Sequence, residues 1–129
     1  MGSTIARAFN AGAAITAYSI VKFDTVEGQV ILATANTDSL LGAVGQLGAN
    51  AAGETVEVQM SSQERVVLGG TVTRGDMLTS DANGKAVSIT NAATQAASVF
   101  TIGQALQSGV SGDIIYYRPS ISKISKGVA

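Results

Sequence analysis

Residues 27–31 carry the sequence Glu-Gly-Gln-Val-Ile, and a related stretch, Asn-Gly-Lys-Ala-Val, follows at residues 83–87. In both stretches a glycine suited to a turn precedes residues typical of a strand. The match extends outward, because Gly-Gln-Leu in residues 42–47 resembles Gly-Gln-Ala-Leu in residues 100–106. The offset between the copies changes by only a few residues, as expected when insertions fall in loops. The sequence therefore predicts two imperfect copies of one β unit.

Short runs between glycine-rich turns indicate β structure along most of the chain. Residues 55–60 alternate, with Val56 and Val58 on one face and polar side chains on the other. Asn83-Gly84 is a strong signal for a tight hairpin turn. Strands this short favour a small antiparallel β-barrel or sandwich built from two pseudo-repeated units, with an extended N-terminal arm.

The other elements follow from the same patterns. Further strands are predicted at residues 19–23, 29–33, 42–47, 64–68, 77–80, 86–89, 99–106 and 114–117. One helical turn is the expectation for residues 35–41, and a brief helix or loop for residues 91–97. Pro119 is expected to end the last strand, since proline cannot donate to a sheet ladder.

The chain divides into three predicted segments. Residues 1–17 have one charge and no sustained periodicity, which predicts an extended arm that packs on its own body or on a neighbouring molecule. Residues 18–118 form the β domain, with pseudo-repeats at about 18–60 and 74–118. Residues 119–129 are the C-terminal tail.

The composition narrows the function classes. The 129 residues carry a net charge of −1, with 13% charged side chains and no His or Cys. These values argue against nucleic-acid binding, an imidazole or thiolate metal site, and thiol or histidine catalysis. The sequence contains no run of 18 apolar, uncharged residues, so no membrane-spanning helix is predicted. With three Phe, three Tyr and no Trp, the core is expected to be thin, which favours added stability from a partner or from self-association.

Carboxylates, Lys and Ser are the remaining candidates for chemistry, and the carboxylates form the closest pairs. The pairs Asp24 with Glu27 and Glu54 with Glu57 lie in turns or on a polar strand face, where solvated charge explains them better than an acid–base site. The spacing of the possible Ca²⁺ ligands Asp76, Asp81 and Asn83 departs from the twelve-residue loop pattern.

Arg-Gly-Asp at residues 74–76 spells an integrin-binding tripeptide, but glycine and aspartate are also ordinary turn residues. A structural turn is the favoured interpretation. Receptor adhesion stays open as an alternative.

Residues 67–87 and 33–42 resemble the capsid cement, or head decoration, proteins of tailed bacteriophages, and the resemblance spans about residues 18–118. It implies a β-rich, non-enzymatic protein on the outer surface of the phage head. It also implies a homo-oligomer, commonly a trimer, that stabilises contacts between neighbouring major capsid proteins. No cofactor, nucleic acid or membrane is expected as a partner. The arm would then extend the capsid's own sheet by β-augmentation.

The expected capsid-binding residues lie in the arm, at the last residue of the β domain and in the tail. They are Ile5, Arg7, Phe9, Arg118, Lys123 and Lys126. Two alternatives remain at this stage: a virion adhesion or fibre domain that binds a host receptor or glycan, and, more remotely, an enzyme that uses carboxylates.

Overall fold

The computed structural model describes residues 6–61, 63–89 and 99–124, and every regular element within them is a β-strand. The strands are β1 (Ala6–Ala11), β2 (Ile20–Phe23), β3 (Gln29–Leu32), β4 (Leu40–Ala43), β5 (Thr55–Gln59), β6 (Glu64–Val67), β7 (Met77–Ser80), β8 (Ala86–Ser88), β9 (Val99–Ala105) and β10 (Ile114–Ile124). The mainly β prediction is confirmed. Across the same residues no helix is long and apolar enough to span a membrane. The prediction for residues 91–97 lies outside the described residues.

The strands form two five-stranded sheets, with the orders β4-β2-β3-β1-β5 and β6-β10-β9-β7-β8. Neighbours are antiparallel except for β1 and β3, which are parallel. Isolated bridges join the two edge strands of each sheet. Val44 pairs with Val58 and links β4 to β5, and Leu68, just after β6, pairs with Ala86 of β8. Each sheet thus curls into a small barrel, here called the first barrel (β1–β5) and the second barrel (β6–β10).

The two barrels repeat one pairing scheme. In each, the first strand pairs with the fifth, the second with the third and fourth, and the first runs parallel to the third. The hairpin glycines also repeat their backbone conformation, with φ of 78° at Gly28 and 72° at Gly84. The structure therefore bears out the two pseudo-repeated units, and the common scheme includes β1 and β6.

One register in the sequence match is wrong. Gly42 in β4 and Gly103 in β9 share a left-handed φ, at 140° and 146°, and each lies opposite the second strand of its barrel. The structural equivalent of Gly103 is therefore Gly42, whereas the sequence match had placed Gly45 there. Gly45-Gln46 and Gly103-Gln104 are identical in sequence but not equivalent in structure, because Gly45 begins the turn after β4 and Gly103 lies within β9.

Two clusters of buried side chains stabilise the molecule. One fills the first barrel and contains Phe9, Ala11, Ile15, Val21, Val30, Val44, Ala49, Val56 and Val58. The other fills the second barrel and also takes in Ile20, Ala33, Leu40 and Ala43 from the first. The barrels therefore share apolar packing where they meet.

Hydrogen bonds reinforce this junction. The Ala43 N–H donates to the hydroxyl of the fully buried Tyr117 (3.2 Å), and the Ile20 N–H donates to the Gly84 carbonyl (2.7 Å). Both bonds join one barrel to the other.

The described part of the predicted arm packs on the chain's own body. In β1, residues 6–10 pair with residues 55–59 of β5, and the Phe9 and Ile15 side chains are buried in the first core. An extended conformation is present, and its hydrogen-bonding partners are strands of the same barrel.

Pro119 does not end the last strand, since β10 runs on to Ile124. Strand β6 pairs with β10 only as far as Tyr117, and the pairing of β10 with β9 shifts register between Pro119 and Ser122. Proline is tolerated at such a bulge on a free edge, because its missing N–H breaks no ladder bond there.

Residues 35–38 form a turn instead of a helical turn, and the strand predicted at residues 42–47 begins earlier, at Leu40. The Asp38 carboxylate closes the turn by accepting the backbone N–H groups of Thr34 and Ala35 (both 3.0 Å), and it pairs with Lys22 Nζ at 3.3 Å. Partial burial opposes ionisation, but these donors hold the pKa of Asp38 below its usual value.

Candidate functional site

A cleft of about 490 Å³ opens beside β1 and is here called the β1 cleft. It lies between β1 and the β2–β3 turn. Its lining combines apolar and charged side chains: Arg7, Phe9, Phe23, Asp24, Thr25, Val26, Glu27, Leu41 and Met60, with Gly28 at the turn.

Two apolar side chains of the β1 cleft are more than half exposed. Phe23 is 53% exposed and Val26 is 56% exposed, whereas Phe9 below them is 7% exposed. The Phe9 and Phe23 rings meet edge to face, with centroids 6.3 Å apart. A buried ring thus supports an exposed one, which presents apolar area to a partner.

Charged groups frame this apolar area. The Arg7 guanidinium lies 5.2 Å from the Phe9 ring centroid, a cation–π geometry. Across the cleft, Asp24 accepts hydrogen bonds from Gln29 Nε2 (2.6 Å) and from the Thr25 N–H (2.7 Å). Those bonds lower the pKa of Asp24, so its carboxylate stays ionised at neutral pH.

The structure separates the residues that the sequence predicted to bind together. Arg7 and Phe9 meet in the β1 cleft, whereas Arg118 and Lys123 are exposed on β10 in the other sheet. Lys123 Nζ lies 5.8 Å from the Phe100 ring centroid. Ile5 and Lys126 lie outside the described residues.

Sequence reasoning missed Phe23 and Val26, the most exposed apolar groups of the cleft. A large apolar residue at the end of a strand, next to the turn at residues 24–28, was the available signal. Phe9, which was predicted, is mainly a core residue and offers little free surface.

Several carboxylates stabilise their own turns by accepting backbone N–H groups. Glu54 Oε1 accepts the Asn50 N–H at 2.9 Å, and Asp81 Oδ1 accepts the N–H groups of Asn83 and Lys85 at 2.8 and 2.9 Å. Within residues 6–61, 63–89 and 99–124, no three acidic side chains converge as metal ligands would. This geometry assigns these acids to local structure.

The Arg-Gly-Asp stretch also forms a turn in which a carboxylate accepts a nearby backbone N–H. Asp76 Oδ2 accepts the Thr73 N–H at 2.9 Å, the Arg74 N–H donates to Ser108 Oγ at 2.9 Å, and Gly75 has φ of 96°. The glycine meets a left-handed position of the turn, and the aspartate binds its own backbone.

Comparisons with known proteins identify a fold relative. No family model matches the chain, and no curated protein matches it. Among solved structures, the N base of the head fiber gp8.5 of bacteriophage phi29 superposes with a TM-score of 0.67 at 20% sequence identity. The likeness covers 92% of this chain and 95% of that one. The double-barrel fold is therefore shared with a base of a phage head fiber.

Proposed function

We propose that this protein is a non-enzymatic structural component of a phage virion that binds the outer surface of the head and contacts the major capsid protein. The observation that carries the proposal is the fold likeness, which extends over nearly the whole of both chains. The resemblance of residues 67–87 to head decoration proteins supports the same role.

The chemistry of the chain suits such a role. It has no His and no Cys, and acids such as Glu54 and Asp81 bind backbone N–H groups of their own turns. The β1 cleft presents an exposed aromatic ring beside an arginine and a methionine, three residue types that are enriched at protein–protein interfaces. No cofactor is part of the proposal.

Self-association is a further part of the proposal, with a trimer as the state that the resemblance implies. Exposed apolar side chains such as Val110 (55%) and Ile121 (45%) supply surface that copies of the chain could cover. Sedimentation equilibrium would give the stoichiometry in solution, and a strictly monomeric protein would remove this part.

The test of head binding is co-sedimentation with phage heads assembled without this protein. The wild type should co-sediment, and the double variant Phe23→Ser/Val26→Ser should bind at least about tenfold more weakly, because it removes exposed apolar contact area. Leu47→Ser is the matched control, since it alters an even more exposed side chain in a turn away from the β1 cleft. Equal binding by all three would contradict the role of the cleft, and no binding by the wild type would contradict the function.

A second candidate is a fibre domain that binds a host receptor or glycan, and the head fiber identity of the structural relative favours it. Adsorption of the purified protein to host cells, in the absence of affinity for heads, would select this candidate. An Asp76→Ala variant would show whether the Arg-Gly-Asp turn takes part.

A further inference from the structure

One turn occurs in both barrels but with a different residue at its critical position. Residues 16–19 and 73–76 each form a turn closed by a backbone hydrogen bond between the fourth and first residues, at 3.3 and 3.0 Å. The third residue needs a positive φ, and the second barrel supplies Gly75 with φ of 96°. The first barrel has Tyr18 with φ of 61°, the one non-glycine residue with positive φ in the described chain.

A tyrosine in this conformation costs stability, since a side chain in the left-handed region clashes with its own backbone by about 1–2 kcal/mol. Such strain persists where the surrounding structure fixes it, and it concentrates at functional positions. The Tyr18 carbonyl accepts the Val67 N–H at 3.0 Å, which holds the strained residue against the second barrel.

The Tyr18 ring is one half of an aromatic stack around an arginine. The Arg65 guanidinium lies 5.2 Å from the Tyr18 ring centroid and 5.8 Å from that of Tyr116. Both contacts are cation–π geometries, and together they hold the planar group in place. Tyr18, Arg65 and Tyr116 are here called the arginine stack.

Among the residues that the structure describes, the arginine stack has no counter-ion. Within the described residues, no carboxylate oxygen lies within 4.0 Å of Arg65, and the ion pair that is present joins Lys22 to Asp38. The adjacent Glu64 is engaged elsewhere, because its Oε2 accepts the N–H and the hydroxyl of Ser61. Rings that contact a guanidinium leave its in-plane N–H donors free, and two parallel donors match a carboxylate.

The side chains around the arginine stack indicate which other groups a ligand of this site would carry. A groove of about 240 Å³ runs beside Tyr18 and Arg65, and its other lining residues are Val44, Gly45, Gln46, Gln59 and Glu64. On its other side Leu106 and Ile114 are 40% and 47% exposed, and the Leu106 N–H bonds to the Tyr116 carbonyl at 3.0 Å. A cation with amide and apolar neighbours fits an acidic side chain set among apolar ones.

We propose that the arginine stack is a binding site for an extended polypeptide segment of a partner protein, in which an Asp or Glu carboxylate pairs with Arg65 and flanking apolar residues cover Leu106 and Ile114. The composition matches that of interface hot spots, where tyrosine and arginine are enriched. This site is separate from the β1 cleft and does not depend on the function proposed for the cleft.

The test is a titration with blocked heptapeptides that carry a central glutamate between two leucines, with a central glutamine in the matched peptide. Tyrosine fluorescence reports binding directly, because the chain has three tyrosines and no tryptophan and two of the tyrosines belong to the stack. The glutamate peptide should give a saturable change and bind at least about tenfold more tightly than the glutamine peptide. Equal binding of the two peptides, or no change at millimolar peptide, would overturn the proposal.

Variants separate the site from general stability. Arg65→Gln should weaken binding of the glutamate peptide about tenfold or more, and Arg65→Lys should recover only part of it, because lysine keeps the charge without the planar fork. Tyr18→Gly should weaken binding while the melting temperature stays equal or rises, since glycine relieves the left-handed strain. Unchanged binding by Tyr18→Gly, or saturable binding of oligosaccharides or inorganic phosphate in place of the peptide, would refute a carboxylate-peptide site.

Discussion

At the scale of single residues, Tyr117 connects the two barrels through one buried hydroxyl. Burial raises the pKa of Tyr117 well above its usual value, so the folded protein keeps this proton where the unfolded chain loses it, above about pH 10. The folded state then binds more protons than the unfolded state, and stability falls as the pH rises past 10. We expect the free energy of unfolding to drop between pH 9 and 11, and urea titrations at both pH values would measure it.

Tyr117→Phe is expected to remove part of that alkaline loss. At pH 7 the variant should cost about 1–3 kcal/mol, because the Ala43 N–H loses its acceptor in the junction. Tyr116→Phe is the matched control, since the Tyr116 ring is exposed. This variant should lose as much unfolding free energy between pH 9 and 11 as the wild type. The same pH dependence in both variants would show that Tyr117 does not control it.

Gly103 is constrained both by its backbone conformation and by its neighbours. A Cβ at this position would collide with the Arg118 carbonyl, whereas a Cβ at Gly112 would meet nothing within 4 Å. Both glycines have positive φ, so Gly112→Ala should cost about 1–2 kcal/mol from strain alone. Gly103→Ala should cost about 1–3 kcal/mol more. Thermal unfolding of the pair would measure the difference, and equal losses would exclude the steric cause.

At the scale of elements, β1 is a structural strand of the first barrel. Phe9→Ala should cost about 3–5 kcal/mol, because its ring is buried in the first core. Phe23→Ala should cost under about 1 kcal/mol, since its ring is half exposed. Urea unfolding of the two variants provides the comparison. If Phe9→Ala were the milder change, β1 would be a dispensable arm.

Local patterns in the sequence predicted most of the strands after the first. The alternation at residues 55–60 and the short run at residues 77–80 correspond closely to β5 and β7. Turn chemistry was equally informative, as the matched φ values of Gly28 and Gly84 show. Such features depend on neighbours in sequence.

The failures involve contacts between distant segments. Whether β10 can continue through Pro119 depends on where its pairing with β6 stops, and β6 lies far from Pro119 in the sequence. For the same reason, the sequence predicted only part of the candidate site. Arg7 and Phe9 stood out as isolated groups in a bland segment, but the partnership of Phe9 with Phe23 depends on how the β2–β3 turn packs beside β1.

At the scale of the whole molecule, the two barrels are coupled tightly enough to unfold together. The second core includes Ile20 and Leu40 from the first barrel, and hydrogen bonds such as that from Ala43 to Tyr117 cross the junction. Separating the barrels would expose this shared apolar surface and leave buried polar groups without partners. Cooperative unfolding is the physical consequence, although each barrel closes its own ring of strands.

Val30→Ala tests this coupling from within the first core. Its loss of buried methyl groups should cost about 2 kcal/mol, or roughly 8 °C in melting temperature for a chain of this size. Amide exchange should then accelerate by the same factor at Val21 in the first barrel and at Ile102 in the second, because both report one global opening. Val26→Ala, at an exposed site, should leave both rates unchanged. Acceleration at Val21 alone would mean that the first barrel opens while the second stays folded, and the shared core would then not couple the two barrels.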